Sequence, residues 1–180
     1  MCSVRGTVNA NVEPRTSNFA RTGNQAPRTS NLEYNRVMLS ARIRRLRPDV
    51  PLPAFQTPES AGFDLAASED TTVQPGEVML VPTGLVIEVP HGHLLGVFAR
   101  SSTPLKRGLM VANGVGVVDP DYSGPQDEVK IEVVNFTGKP VVVKKGDRIA
   151  QGIIIPCRQV EWREADEIRA NSRGGFGATG

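Results

Sequence analysis

Past Val37, glycines and prolines of turn type interrupt the chain about every ten residues, and short apolar runs fill the intervals. Runs of that length are too short for stable helices, and they bury an apolar face most economically as strands. The spacing therefore predicts an all-β sandwich or barrel. Strands are expected over residues 38–45, 62–67, 77–81, 85–89, 94–99, 129–134, 140–144, 149–156 and 159–162. In one of these, Val129, Ile131 and Val133 alternate with Lys130 and Glu132, a period of two with one wet face. Gln74-Pro75-Gly76 reads as a turn into the strand beginning at Glu77, with further turns at Thr83-Gly84 and Lys145-Gly146-Asp147. No helical pattern exceeds about two turns, and residues 165–169 have room for one. There is no internal repeat.

Charge divides the chain unevenly. Residues 1–50 hold nine arginines and no lysine, against Glu13, Glu33 and Asp49, although the whole chain has a net charge of only +2. The remainder is mildly acidic and lacks the dense basic stripe that duplex binding needs, so no nucleic-acid partner is expected. Residues 1–37, rich in Asn, Ser, Thr, Arg and Gly, form an expected disordered leader. Their Arg and Ser content leaves an organellar transit peptide as the less favoured alternative, because the apolar stripe of an amphipathic helix is missing. Cys2 and Cys157 form no multi-cysteine framework, which suits a reducing, cytoplasmic setting. No apolar run approaches the ~20 residues of a membrane span, so no membrane partner is expected either.

The closing stretch, Ser172-Arg173-Gly174-Gly175-Phe176-Gly177-Ala178-Thr179-Gly180, has four glycines and one ring. It cannot order itself by burial. Its ring, guanidinium, hydroxyls and open amides suit a flap that stacks on a planar base and wraps phosphate oxygens; a frayed end is the plainer alternative.

The sequence has no GxxxxGK[ST] loop and no GxGxxG following a strand, and His91 and His93 flank Gly92 without a third metal ligand in view. Four other segments carry polar groups inside strand-like sequence. Ala61-Gly62-Phe63-Asp64-Leu65 sets one carboxylate in an apolar run. Phe98-Ala99-Arg100-Ser101-Ser102 ends a strand with a guanidinium and two hydroxyls suited to phosphate. A glycine-rich hairpin runs from Asn113-Gly114 through Val118-Asp119-Pro120 to Asp121-Tyr122, and Gly146-Asp147-Arg148-Ile149-Ala150-Gln151 opens a strand. Taken singly, each also reads as a capping carboxylate, a surface ion pair or an ordinary turn.

With the tail these segments, in this order and spacing, resemble the trimeric dUTPase family from residue 38 to 180. The resemblance implies a jelly-roll-like distorted β-barrel over residues 38–165 and a flexible C-terminal tail over 166–180. It also implies a homotrimer with active sites at subunit boundaries, and Mg²⁺-dependent hydrolysis of dUTP to dUMP and pyrophosphate. Asp119 corresponds to the general base that activates water for attack on the α-phosphorus. Tyr122 corresponds to the ring against the deoxyribose, and Asn113 with the backbone of Gly114 and Val118 to the uracil reader. Arg100, Ser101, Ser102 and Gln151 match the phosphate contacts, and Asp64 a carboxylate supporting the site around the metal. Phe176 would stack on uracil and Arg173 close over the γ-phosphate. The metal would be held by triphosphate and water rather than by protein ligands.

The chain departs from the family pattern in places. Ser101-Ser102 stands for the usual Ser-Gly. The tail arginine usually lies three residues before the first glycine of Gly-Gly-Phe, where this chain has Asn171. Glu132 lies where related dCTP deaminases carry a catalytic glutamate, so a deaminase or a bifunctional deaminase and diphosphatase is the alternative enzyme; its plainer reading is a solvent-facing strand residue beside Lys130. The deaminase motif needs an arginine at position 105, which is Leu105. A non-catalytic nucleotide-binding barrel is the alternative of another class.

Overall fold

The computed structural model describes residues 38–172, 174 and 175; the expected leader, residues 1–37, lies outside them. In chain order the described residues form β1 (Arg42–Arg45), β2 (Phe63–Ala66), β3 (Thr71–Val73), β4 (Val78–Pro82), β5 (Leu85–Glu88) and β6 (His93–Ala99). The helix α1 (Ser102–Arg107) follows, then β7 (Leu109–Val111), β8 (Gly116–Val118), β9 (Lys130–Asn135), β10 (Val141–Val143) and β11 (Arg148–Pro156). Every strand pairing is antiparallel, and the all-β expectation holds. Hydrogen bonding divides the strands into four sheets, β1-β5, β10-β3, β2-β11-β6-β8 and β4-β9-β7, rather than one closed ring.

The alternation seen in sequence sets the core. Ile131 and Val133 of β9 are buried, as is Val129 just before it, while Lys130 on the alternate face is exposed. Leu65, Leu95, Leu109, Ile131 and Ile149, from five strands of the two larger sheets, belong to one apolar cluster and are fully buried. Burying a side chain of that size contributes about 1.5–3 kcal/mol, so this cluster dominates the stability.

Several elements depart from the sequence expectation. Thr71–Val73 is an additional strand, short enough to be lost between turn signals. Residues 159–162 form no strand: Val160 and Trp162 alternate as a strand would, but Trp162 is 90% exposed and no partner strand pairs with them among the described residues. Residues 165–169 make no helical turn. The one helix among the described residues, α1, lies instead over Ser102–Arg107, where Pro104 in the first turn removes no helical hydrogen bond. It stops at Gly108, whose φ of 65° and approach to Thr137 exclude a side chain, since a Cβ there would lie 2.0 Å from Thr137 Cγ2.

Polar groups join the pieces. Asn135, fully buried, donates from Nδ2 to the carbonyls of Val73 at 2.9 Å and Lys139 at 2.8 Å. Its Oδ1 accepts from Thr137 N–H at 2.9 Å and Thr137 Oγ1 at 2.8 Å. One amide thereby ties the end of β9 to β3 in another sheet. Hydrogen bonds from the Arg107 guanidinium hold the Asp147 carboxyl below the usual carboxylate range. The stability from that shift is present above the unfolded value of about 3.9 and is lost as pH falls through the lower folded value.

Asn135→Ala removes the side-chain donor to the Val73 carbonyl and the acceptor of the Thr137 N–H. It is expected to lower the unfolding free energy by about 1–3 kcal/mol, measured by urea denaturation; a change within ~0.3 kcal/mol would show that the amide is not a structural tie.

Candidate active site

β11 pairs with β2 on one side and β6 on the other, so Gln151 sits in register between Asp64 and Phe98. That register collects the first group of sequence-expected residues. The Asp64 side chain is only 10% exposed and takes Arg100 Nε and Arg148 Nη1 at 2.9 Å each. Gln151 Nε2 donates to the Ala99 carbonyl at 3.1 Å, at the last residue of β6 before Arg100. The chain then turns into α1 with Ser101 at the N-cap and Ser102 as its first residue, and the Ser101 hydroxyl makes no capping hydrogen bond. Arg100, Ser101, Ser102, Gln151 and Asp64 thus form one group.

A buried carboxylate between two guanidiniums is well satisfied, and each arginine keeps further N–H donors. The ion pairs leave one unit of positive charge on this part of the surface, which favours an anion with several oxygens. Arg148 belongs to the group, although its sequence context marked it only as one polar residue at a strand start. Its role shows only once pairing brings β2 beside β11.

The second group lies on the β7–β8 connection. Gly114 N–H bonds to the Val111 carbonyl at 3.1 Å and Val115 N–H to Asn113 at 2.9 Å, closing the turn that presents Asn113. β8 pairs with β6 through Leu95↔Val118 and Val97↔Gly116 and is the edge of its sheet among the described residues. After Val118, Tyr122 N–H bonds to the Asp119 carbonyl at 3.2 Å, which returns the phenol ring toward the hairpin. Asn113, Val118, Asp119 and Tyr122 line one cavity of about 370 Å³. Leu80, Lys130 and Glu132 of the neighbouring sheet complete a wall that the motif reading did not include. Glu132 is half-buried on the same face as Lys130, so the solvent-facing expectation is corrected to a partly covered position.

The two groups line different cavities. The hairpin cavity contains no residue of the Asp64 group, and the cavity of about 150 Å³ lined by Asp64 and Arg148 contains none of the hairpin. Arg173 and Phe176 lie outside the described residues.

Comparison with known proteins gives a consistent result. The family model described as dUTPase matches residues 49–180. The deoxyuridine 5'-triphosphate nucleotidohydrolase of Desulfitobacterium hafniense is 47% identical over 134 residues, covering 72% of this chain and 87% of that protein. The protein of the same name from Nautilia profundicola is 39% identical over 144 residues, 79% of this chain and 99% of that protein. Among solved structures, the dUTPase from Streptococcus mutans superposes with a TM-score of 0.62 at 35% identity, covering 67% of this chain and 98% of that one. The match of a family model to most of the folded body, with relatives that align almost end to end, shows that this chain belongs to the dUTPase family.

Proposed function

We propose that the chain hydrolyses dUTP to dUMP and pyrophosphate and is a nucleotidohydrolase of deoxynucleotide metabolism. The observation that carries the reading is the hairpin cavity, which joins an amide, a carboxylate, a phenol ring and a free strand edge in about 370 Å³. A strand edge and an amide can imitate the pairing edge of a base, and a ring against the sugar leaves no room for a 2′-hydroxyl. Asn113, with the backbone of Gly114 and Val118, reads uracil in this scheme, and Tyr122 packs on the deoxyribose. Asp119 holds and polarises the water that attacks the α-phosphorus, taking its proton as general base. Arg100, Ser101, Ser102 and Gln151 hold the phosphate oxygens, with Asp64 fixing Arg100.

Mg²⁺ fits this scheme through charge and hard oxygen ligands. The Asp64 carboxylate is engaged by two arginines, so the ion's ligands would come from the triphosphate and water. When bound, the ion neutralises phosphate charge; positioning of the oxygens falls to the residues named above.

The separation of the two residue groups supports an active site shared between copies. An apolar row on the outer face of β4-β9-β7 points the same way: Val78, Val134 and Met110 are in register, with Val78 and Met110 about half exposed. Leu80, two residues on from Val78, lines the hairpin cavity itself. A second copy seated on this face would cover the row and bring its Arg100 group toward the first copy's hairpin. We assign the assembly as a homotrimer, residues 38–165 as its body, 166–180 as a tail closing over a site, and the cytoplasm as its setting. The deaminase alternative lacks support at Leu105, which is 88% exposed and apolar where that chemistry needs an arginine.

Incubation with dUTP, dCTP and dTTP is expected to yield dUMP and pyrophosphate from dUTP alone; uracil nucleotides from dCTP would support the deaminase. Asp119→Asn should keep affinity for a non-hydrolysable dUTP analogue and lose ~10²- to 10⁴-fold in kcat, and parent-like turnover would remove Asp119 from the mechanism.

Sedimentation equilibrium should give a trimer. Asp119→Asn and Arg100→Ala chains, each nearly inactive, should regain about a quarter of parent activity when co-refolded in equal amounts, the share of sites that random mixing leaves with both halves intact. An inactive mixture of assembled subunits would rule out the shared site.

Deleting residues 172–180 should abolish most dUTP hydrolysis with little change in Tm, because Phe176 is the one large apolar group removed. Phe176→Ala should show part of the defect, in line with the ~1–3 kcal/mol of base–aromatic stacking. Full activity without the tail would exclude closure by this segment.

A further inference from the structure

Helix α1 has six residues, too few to hold itself in water, so its placement depends on what grips it. Its inner face is formed by Arg100 just before it, Thr103 and Arg107, spaced as one side of a helical path. Three consecutive residues at the start of β11 hold that face. Arg100 Nη1 donates to the Arg148 carbonyl at 3.2 Å, and the buried Thr103 hydroxyl donates to the Ile149 carbonyl at 2.7 Å. At the far end, Arg107 donates to both carboxylate oxygens of Asp147, Nη1 to Oδ2 at 2.6 Å and Nη2 to Oδ1 at 2.8 Å. Asp147 is itself fixed: Oδ2 accepts Lys144 N–H at 2.8 Å, and its carbonyl accepts Ala67 N–H at 3.0 Å.

We propose that Arg107 and Asp147 are positioning residues for the phosphate chemistry, their two-bond pair setting the angle of α1 and hence where Arg100, Ser101 and Ser102 meet the triphosphate. The inference rests on the dUTP-hydrolysis reading. Neither residue lines the hairpin cavity or belongs to the expected phosphate contacts. Their effect passes through the helix. The contacts of Arg100 and Thr103 act at its first turn and leave rotation about that turn open. A planar guanidinium locked on both oxygens of a carboxylate at the last turn removes this freedom, which a single hydrogen bond would not. Gly108 follows immediately and is hemmed in by Thr137, so the helix end has one place to go. A displacement of about 1 Å in groups that orient a reacting phosphate lowers turnover by up to ~10²-fold.

The test compares the parent with Arg107→Gln, Arg107→Lys, Asp147→Asn and the double variant Arg107→Gln/Asp147→Asn. The kcat and KM for dUTP are measured at a temperature where thermal scans show every chain folded. Deoxyuridine binding is measured alongside, since it reads the base-recognising half without phosphates. Arg107→Gln and Asp147→Asn are expected to lower kcat about 10- to 100-fold, with Arg107→Lys intermediate because one ammonium cannot span both oxygens. The double variant is expected to be no slower than the slower single variant, the signature of residues acting as one unit. Deoxyuridine affinity should stay within about two-fold of the parent. A kcat within about two-fold of the parent in the folded variants would overturn the proposal, as would a parallel loss of deoxyuridine binding, which marks general loosening. If Asp147→Asn does not fold, parent-like kcat in Arg107→Lys overturns it instead. Failure of the parent to hydrolyse dUTP would remove the underlying reading, whatever the variants do.

Discussion

The nine residues of β11, paired along both edges, align the strands that carry the Asp64 group. Its register against β2 places Gln151 beside Asp64, and its register against β6 places Gln151 beside the last turns of chain before Arg100. A slip of one residue would send every side chain to the opposite face, dispersing the Asp64 group and exposing Ile149. Close approach enforces the alignment at Gly152, where a Cβ would lie 2.5 Å from the Phe63 ring. Since Phe63 and Leu95 are core residues, the packing that stabilises the fold also positions the polar groups one residue away.

That coupling explains what could be read from the sequence. The alternation Val129-Lys130-Ile131-Glu132-Val133 appears as β9 with its apolar set buried, because local pattern and tertiary burial demand the same thing. The hairpin from Asn113 to Tyr122 was legible for a similar reason: its glycines and its polar ends lie close in sequence, so one segment carries the whole cavity rim. Arg148 and the Arg107–Asp147 pair were not legible as partners. Their contacts span 84 and 40 positions, and only sheet pairing makes them neighbours. Helix α1 was hidden by Pro104, a breaker in most contexts that is harmless in a first helical turn. Val160-Glu161-Trp162 erred in the other direction. It has the period of a strand, but alternation yields a strand only where an edge is available to receive it.

The hairpin that carries the second group of site residues bridges two sheets. β8 belongs with β6 and β11, whereas β7 belongs with β9 and β4. The connection between them therefore passes from one sheet to another, and the Asn113 turn leads into the β8 edge beside β6. Among the described residues, the apolar row Val78, Val134 and Met110 lies beside the hairpin cavity with Val78 and Met110 about half exposed. A row like this costs solubility when left in water and adds stability when covered. In the proposed assembly a second copy would cover this row.

Charge explains why the halves differ in character. In the proposed function the hairpin half offers carboxylates, one amide and a ring, groups that discriminate shape and hydrogen-bond pattern in a neutral base. The other half keeps two arginines around a nearly buried Asp64. An isolated carboxylate there would suffer a desolvation penalty of several kcal/mol, and two hydrogen-bonded guanidiniums offset it. Asp64 in turn keeps the arginines from repelling one another and fixes their planes, so that a polyanion meets donors already oriented rather than two mobile cations. Replacing Asp64 by a neutral residue would raise the positive charge while surrendering the geometry. Long-range attraction for phosphate would grow, but the transition state depends on where the donors point, and the loss of orientation outweighs the gain in charge. In the proposed function, the carboxylate that looks opposed to anion binding is therefore what orients the donors that meet the triphosphate.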